Sequence, residues 1–219
     1  MARWYLVRHG ETAWNAARRI QGQTDIPLHA DGIAGAERLA ARLAGVRFAA
    51  VYVSGLTRTE QTARIILEGQ RLPAALDGLD DPPEQVQLPS LTVRPALQEI
   101  RYGVLEGLTW EQVRVRDPRL QDRSFARDMD FAPEGGESFR ALLERTSTVA
   151  VELEERHRDE DVLIVAHGGS LRALAVGLLG LPPEAFWRLR GLEPASLSVI
   201  THDGALPALT AWNDTGHHA

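Results

Sequence analysis

Four short apolar runs punctuate this sequence: WYLV at 4–7, AAVYV at 49–53, VLIVA at 162–166 and LSVI at 197–200. Each has the length of a buried strand, and the segments between them repeat their apolar residues at helical spacing. The stretch DGIAGAERLAARLAG predicts a helix capped by Asp31, with Ile33, Ala36, Leu39, Ala40 and Leu43 on one stripe and a stop at Gly45. Further helices are predicted from Thr57, from Glu137 and directly after VLIVA. Strand and helix in alternation predict an α/β fold, a three-layer α/β/α sandwich around a mostly parallel sheet. In such sheets ligands bind beyond the carboxyl ends of the strands.

With 219 residues, 44% hydrophobic and 25% charged, the chain has the make-up of one globular domain spanning 1–219. The Pro- and Asp-rich stretch at about 71–92 is predicted to be a surface loop inserted into it. All 24 basic residues are Arg, so Schiff-base chemistry and the P-loop, which need Lys, are excluded. Cysteine is absent, which removes thiol nucleophiles, Cys-ligated metals and disulfides. A net charge of −6 offers no footprint for nucleic acid or an anionic membrane. With no signal pattern and no apolar run of membrane-spanning length, a cytoplasmic protein is expected.

Two of the strands end alike, in VRHG at 7–10 and VAHGG at 165–169. Either His alone reads as a structural hydrogen-bonding group. As a pair at neighbouring strand ends, with Arg8 beside His9 and Arg58 opening the helix after the second strand, they are harder to dismiss. Phosphoryl transfer needs this inventory: guanidinium forks to hold phosphoryl oxygens and an imidazole to attack phosphorus. Helix starts near Thr57 and Gly168 would add backbone N–H donors to the same anion site. The leaving alkoxide needs a proton, for which the candidate is Glu99 in LQEIRYGVLEG; to be protonated near neutrality it must be buried or placed by negative charge.

These segments, LVRHGETAWN, SGLTRTEQTA, LQEIRYGVLEG and VAHGGSLRAL in that order, resemble the histidine phosphatase superfamily, also called the phosphoglycerate-mutase-like family. The resemblance spans most of the chain and implies a phosphoglycerate-mutase-like fold. It implies that His9 is the nucleophile that becomes phosphohistidine, that Arg8, Arg58 and His167 bind the phosphoryl group, and that Glu99 is the acid that later activates water. Asn15, Gln21, Gly22, Tyr102 and the Gly168 amide would line the pocket.

The family holds hydrolases and mutases, and the chain resembles the small phosphatases more closely. Its mutases carry a Lys in the pocket and follow HG with Asn; here there is no Lys and Gly169 follows HG. FAPEGGESF at 131–139 is similar to the PxGES stretch of the phosphatases. The expectation is a metal-independent phosphomonoesterase, without cofactor, acting on a small phosphorylated metabolite as a monomer or homodimer. The alternatives are a cofactor-dependent phosphoglycerate mutase and a non-catalytic phosphate-ligand-binding protein; loss of His9 or Glu99 would be the signature of the latter, and both are present.

Weaker features read as structure. The arginines 114, 116, 119, 123 and 127 read as a solvated helix face before they read as a lid. DGLDDPPE at 77–84 lacks the pattern of a calcium loop. His29, His157 and His202 have no partner at metal-ligand spacing, and His217 and His218 lie in a tail expected to be mobile. Trp110, Phe125, Phe131 and Trp187 are expected in the core, with the leaving-group side of the pocket as the second reading.

Overall fold

The computed structural model describes residues 2–70, 88–125, 127–204 and 206–218. Strand β1 (Ala2–Arg8) lies near the middle of a six-stranded sheet. On one side it pairs in parallel with β4 (Val162–Ala166), which pairs in parallel with β2 (Ala50–Val53), and β2 with β3 (Leu91–Val93). On its other side β5 (Leu197–His202) and then β6 (Ala208–Asp214) run antiparallel. The order is β3-β2-β4-β1-β5-β6, so the sheet is mostly parallel, with antiparallel strands at one edge.

Alternation along the central strands sends side chains to two cores. Trp4 and Leu6 of β1, with Val162 and Ile164 of β4, face α6 (Phe139–Arg156) and α7 (Gly168–Leu178), meeting Val149, Leu153, Leu171 and Leu174. Tyr5 and Val7, with Leu163 and Val165, face α2 (Ala30–Leu43) and α3 (Thr57–Gly69), meeting Leu39, Leu43, Ala63 and Ile66. β4 is buried along its whole length, as a strand covered on both faces must be. The three layers expected from the alternation are therefore present.

The structure corrects several local expectations. Helix α2 starts at Ala30 and not after Asp31, because His29 is its cap: Nδ1 accepts a hydrogen bond from the Gly32 N–H at 3.2 Å. Ile33 is not on the buried stripe; it is 39% exposed, and Gly32 and Gly35 take the inner positions. Most of the 71–92 insertion lies outside the described residues, but Leu91 and Thr92 belong to β3, so the loop ends earlier than expected. DGLDDPPE lies wholly outside them. The arginine-rich stretch forms two short helices, α4 (Trp110–Arg116) and α5 (Pro118–Phe125), divided at Asp117 before a proline. At the tail, His217 Nε2 donates to the Ala195 carbonyl at 2.9 Å, and Arg42 pairs with Asp214, so the chain there is held against α2.

Candidate active site

β1 and β4 end side by side in register, Arg8 opposite Ala166, and the His9 N–H donates to the Ala166 carbonyl at 3.0 Å. The next residue on each strand is a histidine. Their rings therefore meet, with centroids 5.1 Å apart and planes at 62°. His9 Nδ1 lies 2.7 Å from the Gly10 carbonyl oxygen, which only accepts, so Nδ1 carries the proton and the Nε2 lone pair is left unengaged. Burial holds His9 well below its ordinary pKa of 6.5, and the Arg8 and Arg58 charges push it the same way. It is a neutral imidazole, with its lone pair on Nε2.

Arg58 is fully buried at the first turn of α3. Its Nε donates to His167 Nδ1 at 3.3 Å, and its two terminal nitrogens donate to the carbonyls of Thr24 and Gly22 at 2.9 and 2.8 Å. Three of its five N–H donors are engaged, which leaves one on each terminal nitrogen, the spacing of a bidentate oxyanion contact. Burial lowers its pKa to about 10, so it is charged at neutral pH. Since Arg58 can only donate, His167 Nδ1 is an acceptor and Nε2 carries the proton, directed to Ser54 Oγ at 2.9 Å. Ser54 in turn lies 3.0 Å from Thr59 Oγ1, which donates to the Leu56 carbonyl at 2.8 Å. His167 is likewise lowered well below 6.5, by burial first and then by Arg58 and His9.

Arg8 is anchored by its terminal nitrogen to the Leu192 carbonyl, while its Nε is buried without a partner. A buried unpaired donor is costly unless a ligand meets it. Glu99 lies across the amino end of α7: Gly169 N–H reaches both carboxylate oxygens at 3.1 Å, and the N–H groups of Ser170 and Ile100 reach Oε1 at 3.2 and 2.9 Å. A Cβ on Gly169 would stand 2.4 Å from Glu99 Oε1, so the second glycine of HGG makes this position available. The acceptor positions of this carboxylate are filled by backbone amides. Gly168 stands alongside, its side-chain direction 3.9 Å from both Arg8 Nε and Glu99 Oε2.

Arg8, His9, Asn15, Gln21, Gly22, Arg58, Glu99, Tyr102 and His167 all line one open pocket of about 150 Å³, a phosphoryl-sized space. Asn15, in the short helix α1 (Ala13–Ala16), completes a capping box with Thr12: its Oδ1 accepts from the Thr12 N–H and hydroxyl at 3.1 and 3.0 Å, which leaves its Nδ2 donors available to the pocket. Burial raises the Tyr102 phenol well above its ordinary pKa, so the pocket wall there is a neutral hydroxyl. Of the aromatic candidates Trp110 alone lines the pocket. Phe131 is buried elsewhere, Trp187 packs edge-on against Phe139 and Phe186, and the Phe125 side chain lies outside the described residues.

Several supporting groups were not singled out in the sequence. Glu106 accepts from the N–H groups of Gln23, Thr24 and Tyr102 and from the Thr24 hydroxyl, clamping the 21–24 loop whose carbonyls hold Arg58. Asp25 ties the same loop to Thr57 at the start of α3. Glu137 and Arg145 form a bidentate pair, and Arg145 also donates to the carbonyls of Ala96 and Glu99 at 2.7 and 3.0 Å. Their signal was present, since Ser54 stands in SGLTR, Glu106 in YGVLEG and Glu137 in PEGGES, but spacing alone does not say what each touches.

Among the described residues Glu11, His29 and Asp31 form a group of metal-type donors, none of which lines the pocket. His29 thus does have acidic neighbours, at 3.4 and 3.7 Å from Nε2. Its Nδ1 already accepts the Gly32 N–H, so the neutral ring carries its proton on Nε2 and has no lone pair for a cation there.

The chain has relatives among known proteins. The chain is 33% identical over 214 residues to a metal-independent phosphoserine phosphatase of Arabidopsis thaliana, covering 97% of this chain and 81% of that one. It is 36% identical over 227 residues to the "Probable phosphoglycerate mutase GpmB" of Yersinia pestis (strain Pestoides F), covering 99% and 95%. Among solved structures, YhfR of Bacillus stearothermophilus superposes with a TM-score of 0.83 at 32% identity over 100% of both chains. The family described as histidine phosphatase superfamily (branch 1) matches residues 4–80 and 84–215. Its match covers both strand-end histidines and the segments that carry Arg58 and Glu99, and the chain belongs to that superfamily.

Proposed function

We propose that this protein is a metal-independent phosphomonoesterase that hydrolyses a small phosphorylated metabolite through a phosphohistidine at His9. The observation that carries the reading is the neutral His9 ring, its Nδ1 tied to the Gly10 carbonyl and its Nε2 free, in a pocket lined by three guanidinium groups, those of Arg8, Arg19 and Arg58. The Arg8 Nε and the two remaining Arg58 donors hold phosphoryl oxygens, with His167 beside them. Nε2 attacks phosphorus, the ester P–O bond breaks, and Glu99 delivers a proton to the departing oxygen. Water, giving a proton to Glu99, then attacks phosphorus; the new P–O bond forms as the P–N bond to Nε2 breaks, so inorganic phosphate leaves and His9 is again neutral. The arginine charges take the place that a metal holds in other phosphoryl-transfer sites.

A single domain, a cytoplasmic location and a monomer or homodimer belong to the same proposal. No helix among the described residues is long and apolar enough to cross a membrane. The second reading, a phosphoglycerate mutase, is supported by the name of the Yersinia relative; the absence of Lys, and Gly169 after HG where the mutases carry Asn, favour hydrolysis.

Phosphorus NMR of the EDTA-treated protein with 3-phosphoglycerate, with and without 2,3-bisphosphoglycerate, and with a panel of other phosphomonoesters, tests the reading. Release of inorganic phosphate that is abolished in His9→Ala is expected. Conversion to 2-phosphoglycerate without release would make it a mutase, and full turnover by His9→Ala would remove the phosphohistidine.

A further inference from the structure

The pocket has two unlike ends. Arg8 Nε and Arg58 are buried at the closed end, whereas Arg19, also in the lining, is exposed. Its backbone is fixed from both sides: Arg18 adopts a φ of 52°, the Arg19 N–H donates to the Trp14 carbonyl at 2.8 Å, and Arg19 bridges to Thr109, the cap of α4. One terminal nitrogen donates to the Gly107 carbonyl at 2.6 Å. Four of the five guanidinium N–H donors are left. Among the described residues no carboxylate pairs with Arg19, and the one acid in the lining, Glu99, is held by backbone amides at α7. Tyr102 and Trp110, edge-on at 6.4 Å, line the same pocket.

We propose that Arg19 is a specificity-determining residue that binds a carboxylate on the leaving group, so that the preferred substrates are phosphomonoesters of small hydroxy acids. This rests on the phosphatase reading above. Charge selects a carboxylate over a second phosphoryl group: one guanidinium balances one negative charge, and no further cation lines the pocket once Arg8 and Arg58 hold the reacting phosphoryl.

The test compares 3-phosphoglycerate with glycerol 3-phosphate, which differ in carrying a carboxylate or a hydroxymethyl group. Inorganic phosphate release by the EDTA-treated protein gives kcat/KM for each, and inhibition of p-nitrophenyl phosphate hydrolysis gives the affinity of each. Wild type is expected to favour the carboxylate. Arg19→Met should shrink that preference by about 10- to 100-fold, mainly through KM, as loss of a charge-assisted bidentate contact does. Arg19→Lys should restore part of it. A merely structural Arg19, bracing Gly107, would lower both substrates together and leave the ratio unmoved; that result, or a wild type without preference, overturns the inference. If wild type hydrolyses none of the three esters, the phosphatase reading fails first and this inference falls with it.

Discussion

Acidifying the protein from about pH 7.5 to about 5.5 should destabilise wild type more steeply than a His9→Gln variant. Burial, with Arg8 and Arg58 beside it, holds the folded His9 well below 6.5, while the unfolded chain takes up its proton near that value. Between the two pKa values the unfolded state binds more protons. Stability is therefore fully present above about pH 6.5 and falls as the pH drops through the window beneath it. One proton corresponds to a slope of about 1.4 kcal/mol per pH unit. His167 is displaced in the same direction, and His217 also lies low, so wild type should show a slope of more than one proton. Subtracting His9→Gln isolates the His9 share, at most about 1.4 kcal/mol per pH unit. Glu152 and Asp214, held low by Arg94 and Arg42, lose their contribution only at more acid pH and do not enter the window. Urea midpoints of both proteins at several pH values, in buffer free of phosphate, measure the difference. Parallel stability curves would mean that His9 protonates as easily folded as unfolded, and the account of a desolvated neutral nucleophile would be wrong.

Two substitutions separate stability from chemistry. Arg145→Met removes both bonds to Glu137 and orphans the carbonyls of Ala96 and Glu99 at a site where the two side chains are 23% and 12% exposed; thermal and urea unfolding should show a loss of about 3–5 kcal/mol, and a loss under about 1 would mean that the pair is solvated. Gly169→Ala should change stability little, because its Cβ meets the far end of a flexible side chain, yet it should drive the Glu99 carboxylate off α7. Hydrolysis of an alkyl phosphate, whose leaving group needs a proton, should then fall about 10- to 100-fold more than that of p-nitrophenyl phosphate; equal losses would deny Glu99 the role of acid.

The parts of the site that were legible in the sequence are those in which chemistry and backbone position coincide. His9 and His167 each follow a strand, so knowing that the strands are neighbours is enough to place the rings together. Arg58 opens the helix that follows β2, the strand beside β4, so the same reasoning places it at that edge of the sheet. What was hidden depends on side chains reaching across the fold. The clamp of Glu106 on residues 23 and 24 and the brace of Arg145 on residue 99 span 83 and 46 positions, and no periodicity encodes them. Both overlooked strands are edges: β3 is three residues long, and β6 mixes apolar with polar residues because it pairs on one side only. The cap of α2 was misjudged because an Asp is the commoner cap than a His, while the tertiary path of residues 11–29 brings His29 to that point.

A protein of net charge −6 that binds an anion must build its field locally, and this fold does so with few charges. Arg58 is fully buried and Arg8 keeps its Nε out of water, so solvent screens both charges weakly. The cost is that both histidines are pressed toward the neutral state. For His9 that state is the useful one, since an imidazolium has no lone pair for phosphorus. For His167 it means that one nitrogen is already fixed as an acceptor from Arg58, so a bound phosphoryl oxygen and His167 draw on the same guanidinium. The tautomer of His167 is thereby fixed from both sides: Arg58 Nε donates to Nδ1, and Ser54 Oγ accepts from Nε2 because its own proton goes to Thr59 Oγ1, which donates to the Leu56 carbonyl.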